Sequence, residues 1–177
     1  MIKPTHRNQF PKWLALIGLT GKAVELGVAE GNFSRMFLAG WPGEYFMVDM
    51  WRHIDGYNDA MNGDNAEHQA RYKQALSVAA QYADRCSIVV ADSVAAASGF
   101  EPRSLDFVYI DADHSYEGCK RDILAWAPKV KPGGILAGHD YYNNPPQYEV
   151  RRAVAEVCGG PCGITHEAAP SWWVQIG

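Results

Sequence analysis

The stretch LDFVYIDADHSYEGCKRD, residues 105–122, runs from an apolar segment through a polar turn into a helix-like segment. The run LDFVYI is almost continuously hydrophobic, which is typical of a parallel strand that is covered on both faces. Asp111, Asp113 and His114 follow at the point where this strand leaves the core. This order predicts one unit of an α/β fold, with a ligand site at the carboxyl end of the strand.

The same alternation of strand-like and helix-like segments recurs along the chain. Apolar runs of strand length occupy residues 22–28, 44–50, 86–92, 105–112 and 134–140. The C-terminal segment instead holds two strand-like pieces, GITHEA and SWWVQIG, joined by a short turn. We therefore predict a single α/β domain over residues 1–177, with a mostly parallel sheet, helices on both faces and an antiparallel C-terminal hairpin. Trp172 and Trp173 are expected to pack against the edge strand and to offer a surface for a homodimer contact.

Composition and charge exclude several classes of partner. The 177 residues carry a formal net charge of -4 and show no basic cluster, so we expect no nucleic-acid partner. No run approaches the roughly 20 apolar residues of a membrane span, so we expect no membrane partner. The apolar run WLALIGL is short for a signal peptide, follows Pro11 and is not followed by a cleavage site. We predict a cytoplasmic protein whose 4 cysteines are reduced thiols and not zinc ligands.

The stretch VELGVAEGNFS, residues 24–34, lies where the first strand turns into the first helix. Gly27 and Gly31 allow a tight turn and a close approach of the backbone to a ligand, beside the N–H groups of a helix start. Their spacing differs from the Gly-x-Gly-x-x-Gly of dinucleotide-binding turns. Glu25, inside the strand, would repel a pyrophosphate but would pair with an ammonium group. The alternative is that both glycines serve the turn alone.

Acidic residues also follow the next two strands. Asp49 ends the second strand about 20 residues after the turn, where such a side chain reaches ribose hydroxyls in α/β nucleotide sites. Asp92 closes the third strand, where a carboxylate can accept a hydrogen bond from an adenine amine. Together with Glu25, these acids lie at the carboxyl ends of three consecutive strands. They suit a ligand with a cationic amino-acid end, a ribose and a base.

Three stretches carry a resemblance to a known family: VELGVAEGNFS, VDMW, and the segment from LDFVYIDADHSYEG to KPGGILAGHDY. Over roughly residues 20–145 the chain resembles the class I S-adenosylmethionine-dependent methyltransferases, in particular the metal-dependent sugar and catechol O-methyltransferases. The resemblance implies a Rossmann-like sheet of seven strands with an antiparallel last strand, and S-adenosylmethionine as the cofactor. The implied cofactor contacts are Glu25, Gly27, Val28, Gly31, Asp49, Met50, Asp92, Ser93 and Asp111. Two departures are Ala29, in place of the middle glycine, and Ser34, which lies slightly later than its counterpart in the catechol enzymes.

The resemblance also implies the chemistry at the ends of the fourth and fifth strands. Asp111, His139 and Asp140 match the positions at which the metal-dependent relatives hold a divalent cation such as Mg²⁺. His139 replaces a more usual acid or amide, which favours manganese, iron or zinc, or makes His139 a base instead of a ligand. His114, three residues after Asp111, resembles the general base of the sugar enzymes. The predicted catalytic residues are therefore His114, Asp111 and His139.

These assignments have plainer alternatives. Asp113 and Ser115 can cap the helix that follows them, and His114 can be a surface residue of the loop. Asp111 can orient a substrate in a site without metal. For the whole protein we predict O-methylation of a hydroxyl on a small metabolite or sugar. An NAD-type oxidoreductase and a non-catalytic S-adenosylmethionine-binding module are the alternatives.

A long polar and aromatic connection, residues 51–69, follows the second strand directly. Connections of this length in compact domains often form lids or binding loops. We expect this one to close over the cofactor and to shape a pocket for the hydroxylated acceptor. The side chains expected at that pocket are Trp51, His53, Tyr57, Tyr141 and Tyr142. For Trp51, plain packing in the core is the alternative.

Overall fold

The computed structural model describes residues 3–142 and 148–177. The strands in this part of the chain are β1 (Lys22–Leu26), β2 (Glu44–Asp49), β3 (Cys86–Val90), β4 (Leu105–Ile110), β5 (Val130–Gly138), β6 (Gly163–Ile164) and β7 (Trp172–Gln175). They form one sheet in the order β3-β2-β1-β4-β5-β7-β6. The first five strands are parallel, and β7 is antiparallel to β5 and β6. The predicted fold class is confirmed, including the antiparallel C-terminal hairpin.

Helices cover both faces of the sheet. They are α1 (Phe10–Leu16), α2 (Asn32–Leu38), α3 (Asn65–Ala80), α4 (Ser93–Ala96), α5 (Tyr116–Trp126) and α6 (Val150–Cys158). Side chains of α1, α2 and α3 pack in one hydrophobic core, and those of α4, α5 and α6 pack in a second core on the other face. Every residue of β4 is buried between the two cores, as its continuous apolar run predicts. No helix of the described ranges is both long enough and apolar enough to cross a membrane.

The C-terminal part differs from the sequence prediction in two respects. Helix α6 is not among the predicted helices. Its buried residues Val150, Ala153 and Val154 have the i, i+3, i+4 spacing of a helix face, so the sequence carries an amphipathic signal there that the prediction missed. Trp172 and Trp173 are 0% and 3% exposed and pack on opposite faces of the sheet. Both side chains therefore belong to the cores, and a homodimer contact at this edge of the sheet stays a prediction.

Backbone hydrogen bonds hold the carboxyl ends of the parallel strands in one row. The N–H groups of the residues after β1, β4 and β5 each donate to the end of a neighbouring strand. These bonds are Gly27 N to Val48 O at 2.9 Å, Asp111 N to Leu26 O at 2.8 Å, and His139 N to Ile110 O at 3.0 Å. The residues that follow four adjacent strands therefore lie side by side at one edge of the sheet.

Gly27 lies at the tightest point of this row. Its backbone has φ +80°, which favours glycine over any residue with a side chain. A Cβ atom at this position would overlap the carbonyl group of Asp111, and it would lie 2.8 Å from the Cα atom of Ala112. Backbone atoms cannot move aside cheaply, so the close approach of the β1–α2 turn to the end of β4 requires glycine here.

Glu25 is a buried acid inside β1. It is 1% exposed, and its carboxyl group accepts hydrogen bonds from the hydroxyl of Ser34 in α2 and from that of Tyr45 in β2, the latter at 2.7 Å. Burial raises the pKa of Glu25 to about 8, although the two hydroxyl hydrogen bonds oppose this effect. The group therefore keeps its proton at neutral pH and ties α2 to the sheet. Because the carboxyl group of Glu25 is buried and protonated, it is not available for the predicted ion pair with a ligand ammonium group.

Replacing Gly27 by Ala is expected to lower the free energy of unfolding by about 3 kcal/mol, because backbone strain and overlap with Asp111 act together. Gly18 is the matched control, since its φ is +81° but no atom lies within 4 Å of its added Cβ. Gly18→Ala should cost only about 1 kcal/mol. Urea unfolding followed by circular dichroism measures both values. Equal losses in the two variants would contradict the overlap argument.

Glu25→Gln is expected to remove a pH dependence of stability. Unfolded Glu25 ionises above its ordinary pKa of 4.5, whereas folded Glu25 holds its proton up to about pH 8. The folded state therefore binds more protons between these values, so the wild-type free energy of unfolding falls as pH rises. Relative to Glu25→Gln, the fall between about pH 5 and pH 8 should be on the order of 3 kcal/mol. Glu44→Gln, at an exposed glutamate of β2, should keep the wild-type slope.

Candidate active site

Four ionisable side chains meet at the carboxyl ends of β4 and β5. Asp111 and His114 follow β4, and His139 and Asp140 follow β5. The Nδ1 atom of His139 lies 2.9 Å from Asp140 Oδ2 and 3.6 Å from Asp111 Oδ1. The Nε2 atom of His114 lies 3.3 Å from Asp111 Oδ1 and 3.2 Å from Asp140 Oδ2. The structure thus brings together all the residues predicted to be catalytic or to bind a metal.

His114 is surrounded by carboxylates. Its second ring nitrogen, Nδ1, lies 3.2 Å from Asp59 Oδ2, so three acidic side chains contact the ring. Burial lowers the pKa of His114, but the hydrogen bonds to Asp111, Asp140 and Asp59 outweigh this effect and raise the pKa to about 11. The side chain is 12% exposed, so His114 is not the surface residue of the plainer alternative. In this arrangement it is the cation at the centre of an acidic cluster.

Asp59 is a site residue for which the sequence gives no signal. It lies in the connection between β2 and α3, and its side chain is 2% exposed. The carboxylate accepts hydrogen bonds from the Tyr148 hydroxyl at 2.6 Å and from the N–H of Met61 at 2.7 Å. Burial raises the pKa of Asp59, but these bonds and the one from His114 outweigh burial and lower the pKa well below its usual range. A polar loop without periodicity does not indicate which of its acids points inward.

The connection after β2 follows its prediction only in part. Tyr57 lies at the site, because its hydroxyl donates to the carbonyl oxygen of Ala112 at 3.2 Å. Trp51 is 2% exposed and packs against Tyr72, with ring centroids 4.9 Å apart. It is therefore a core residue, as the plainer alternative has it. His53 bonds to other residues of the same connection and does not contact the acidic cluster.

An aromatic ring covers His114, but it belongs to a residue that the sequence reading did not single out. Tyr148 stacks on the imidazole with ring centroids 4.3 Å apart and planes 21° from parallel. Tyr141 is 9% exposed and donates its N–H to Pro170, so it packs in the core next to β5. Tyr142 is 49% exposed and contacts Tyr141 edge-on.

The N-terminal segment contributes Arg7, a second residue that the sequence reading missed. Its Nη1 atom lies 3.1 Å from His139 Nε2, and its backbone N–H donates to Glu167 at 3.1 Å. A guanidinium has only donors, so this contact selects the form of His139 in which Nδ1 carries the ring proton and faces Asp140. Burial and Arg7 lower the pKa of His139, but the Asp140 hydrogen bond and the charge of Asp111 outweigh them and raise it.

Asp111, His139 and Asp140 offer three ligand atoms that lie within 4.8 Å of one another. The carboxylates supply the oxygen ligands that hard cations prefer, although Asp111 Oδ1 and Asp140 Oδ2 also contact Nε2 of His114. Burial raises the pKa of Asp140, but hydrogen bonds from His114 and His139 lower it well below its usual range, so the group is ionised. His139 fits only after a rearrangement, because Arg7 takes Nε2 and Asp140 takes Nδ1.

Asp49 is bonded to the backbone of the β1–α2 turn. Its carboxylate accepts hydrogen bonds from the N–H groups of Val28 at 2.9 Å, Ala29 at 3.0 Å and Trp51 at 2.8 Å. A carboxylate has about four acceptor positions, so about one is left for a ligand. The side chain of Val28 is buried, whereas Met50 is partly exposed beside Asp49. Contacts of these residues with a cofactor stay predictions.

Asp92 and Ser93 lie at the start of α4. The Asp92 carboxylate accepts hydrogen bonds from the N–H groups of Val94 at 3.0 Å and Ala95 at 3.1 Å, so it caps this helix. Its side chain is nevertheless 40% exposed and open to a ligand. The Ser93 hydroxyl donates to the buried Asp122 at 2.5 Å, so it links α4 to α5. Burial raises the pKa of Asp122 to about 7.

Three other residues to which the sequence analysis gave a role lie at or just before the start of a helix. Gly31 has φ +82° and precedes the first residue of α2. Ser115 caps α5 by accepting a hydrogen bond from the N–H of Gly118 at 3.1 Å. Asp113 accepts a hydrogen bond from the N–H of Ser115 at 2.9 Å. The capping alternative is therefore confirmed for Ser115, whereas Asp113 bonds to the cap residue and not to an N–H of the helix.

Known proteins resemble this chain in sequence and in fold. Residues 24–141 match a family model described as a methyltransferase domain. An uncharacterized protein of Sinorhizobium fredii is 26% identical over 143 residues, which cover 76% of this chain and 15% of that protein. This chain therefore spans only a small part of the length of that relative.

Solved structures share the architecture at low sequence identity. An O-methyltransferase from Bacillus cereus in complex with SAH has a TM-score of 0.66 and 15% identity, covering 99% of this chain and 82% of that chain. A calicheamicin methyltransferase has a TM-score of 0.66 and 16% identity, covering 96% of this chain and 78% of that chain. At such identities the likeness shows the fold alone.

The family match identifies the family of this chain, because it spans most of the chain. It includes the β1–α2 turn and the acids at the ends of β2, β3, β4 and β5. An NAD-type oxidoreductase, the first alternative, is therefore wrong. The chain belongs to the class I S-adenosylmethionine-dependent methyltransferases.

Proposed function

We propose that this protein transfers the methyl group of S-adenosylmethionine to a hydroxyl of a small metabolite or sugar, with the help of a divalent cation. One observation carries the proposal: Asp111, His114, His139 and Asp140 converge at the strand ends, next to the glycine turn of the matched family. Among the solved structures that share the fold, both the Bacillus cereus protein and the calicheamicin protein are methyltransferases, and the former is named as an O-methyltransferase, which agrees with the proposed acceptor atom.

The charges of the site support a cationic methyl donor. Asp59, Asp111 and Asp140 face two positive side chains, His114 and Arg7. Arg7 also lies beside Glu167, so acidic side chains outnumber the positive ones at the site. A sulfonium or a divalent cation is therefore attracted to this edge of the sheet. Asp49 and Asp92, at the ends of β2 and β3, are proposed to bind the ribose and the base of the cofactor.

Methyl transfer to a hydroxyl requires alignment of the two reactants and removal of the hydroxyl proton. A divalent cation lowers the pKa of a bound hydroxyl and fixes its orientation. Asp111 and Asp140 are proposed to hold this cation, with His139 as a third ligand if Arg7 releases it. His114 is proposed to take the proton. The carboxylates that raise the pKa of His114 are the proposed metal ligands, so sharing them with a cation weakens that effect.

The acceptor is proposed to be small and free rather than part of a nucleic acid. The chain carries a net charge of -4, which disfavours a phosphate backbone. Tyr57 and Tyr148 are proposed to limit the width of the acceptor pocket, because bonds of their hydroxyls to Ala112 and Asp59 hold both rings at the site. A labelled-cofactor screen of metabolite extracts identifies the acceptor.

Cofactor binding is the first test. Isothermal titration calorimetry with S-adenosylmethionine and S-adenosylhomocysteine should show saturable binding by the wild-type chain. Asp49→Ala should weaken binding by about tenfold, equal to about 1.4 kcal/mol, because it removes an acceptor and loosens the turn. Asp84→Ala, at an exposed acid with 77% of its side chain accessible, is the control and should bind as the wild type does. No binding of either compound by the wild-type chain would end the proposal.

Metal binding is tested separately from turnover. Titration with Mg²⁺ and Mn²⁺ should show binding that Asp111→Asn and Asp140→Asn each weaken by at least about tenfold, because each removes an anionic ligand. Asp113→Asn, in the same DADH motif, should have little effect, since Asn still accepts the hydrogen bond of Ser115. With the acceptor in hand, chelation should abolish methyl transfer. Full activity after chelation would remove the metal from the proposal and leave Asp111 to orient the substrate.

A further inference from the structure

We propose that Asp59 is a positioning residue that orients the His114 ring toward Asp111 and Asp140, at the ends of β4 and β5. The inference rests on the proposed function, in which His114 takes the acceptor proton. It assigns a chemical role to a residue of the connection between β2 and α3, the segment expected from the sequence to close over the cofactor.

The imidazole of His114 is held at both of its nitrogens. Nδ1 faces Asp59 Oδ2 at 3.2 Å, and Nε2 faces Asp111 and Asp140 at 3.3 Å and 3.2 Å. A half-turn of the ring about the Cβ–Cγ bond would replace Nδ1 by Cδ2 and Nε2 by Cε1, so the Asp59 contact favours the orientation in which Nε2 points at the strand ends. A carboxylate that fixes a histidine through its far nitrogen orients the ring and favours the proton on that nitrogen.

Asp59 is itself held in place. Its other contacts are with the Tyr148 hydroxyl at 2.6 Å, the Met61 N–H at 2.7 Å and the Tyr57 hydroxyl at 3.3 Å, so its buried charge is paired on several sides. Tyr148 also stacks on the His114 ring, with centroids 4.3 Å apart. The ring is thus fixed at one edge by Asp59 and on one face by Tyr148.

This arrangement couples the connection after β2 to the orientation of His114. Asp59 reaches the site only while the connection lies against the end of β4, where Tyr57 donates to Ala112 at 3.2 Å. Displacement of the connection removes the Asp59 contact and leaves Nδ1 of His114 without its partner. The alternative is a purely structural role, in which Asp59 only anchors the connection through its hydrogen bond with Tyr148.

The test compares three variants of the full chain. Asp59→Ala removes the carboxylate. Tyr148→Phe removes one hydrogen bond that holds Asp59 but keeps the ring that stacks on His114. Asp55→Ala is the matched control, because this acid belongs to the same connection and its side chain is 104% exposed. The first readout is the far-downfield proton NMR signal of the His114 Nδ1–H, assigned by its loss in His114→Gln. The second readout is calorimetric binding of S-adenosylhomocysteine.

We expect Asp59→Ala to lose the His114 signal, whereas Tyr148→Phe and Asp55→Ala keep it. Binding of S-adenosylhomocysteine should stay within about twofold of wild type in all three variants. With the acceptor from the labelled-cofactor screen, Asp59→Ala should lower kcat by about 10–100-fold, and Tyr148→Phe by much less.

Two results would overturn the inference. In one, Asp59→Ala keeps the His114 Nδ1–H signal, so the ring does not depend on Asp59. In the other, Asp59→Ala and Tyr148→Phe lower kcat equally, as expected if Asp59 only anchors the connection. Failure of the proposed function has a different signature, since the wild-type chain would then bind no S-adenosylhomocysteine while the NMR comparison still reports on Asp59.

Discussion

The row of backbone hydrogen bonds across the carboxyl ends of the parallel strands is the constraint on which the site depends. It places the residues after β2, β1, β4 and β5 side by side, so side chains distant in sequence meet at one edge. The row closes because Gly27 has no side chain between the β1–α2 turn and Asp111. Asp49 then fastens the turn from the other side through the N–H groups of Val28 and Ala29.

The alignment of the strand ends brings acidic side chains together, so positive charges nearby must balance their negative charges. Two like charges about 4 Å apart repel by roughly 4 kcal/mol at an effective dielectric constant of about 20. Asp59, Asp111 and Asp140 all lie within about that distance of His114, whose positive charge makes the cluster tolerable. Arg7 adds a second positive charge behind His139. The positive charges of His114 and Arg7 therefore offset part of the negative charge at the strand ends.

The sequence predicts the parts of the molecule that follow from strand order. Asp49, Asp111 and Asp140 are recognisable because each directly follows an apolar run, and parallel strands bring such positions together. Their partners are not recognisable in this way. Arg7 lies in an N-terminal segment and Asp59 in an aperiodic connection, where no repeating pattern indicates which side chain turns inward.

Burial is also difficult to predict from the sequence. Glu25 reads as a ligand-binding acid, because its position in the turn motif is visible and its neighbours in space are not. Ser34 and Tyr45 surround its carboxyl group and convert it into a neutral core residue. The carboxylates of Asp49 and Asp92 are likewise engaged by backbone N–H groups, which the one-dimensional pattern does not reveal.

The contributors to the site divide along the boundary of the family match. The turn, Asp49, Asp92, Asp111, His114 and Asp140 lie within residues 24–141, the part that resembles other methyltransferases. Arg7 and Tyr148 lie outside that part, yet they contact His139 and His114 directly. The matched part therefore contains the acids of the site, whereas two residues in contact with its histidines come from the flanking segments. A family pattern can thus identify the fold and the cofactor while leaving residues of the same site undescribed, and a fold alone does not specify a substrate.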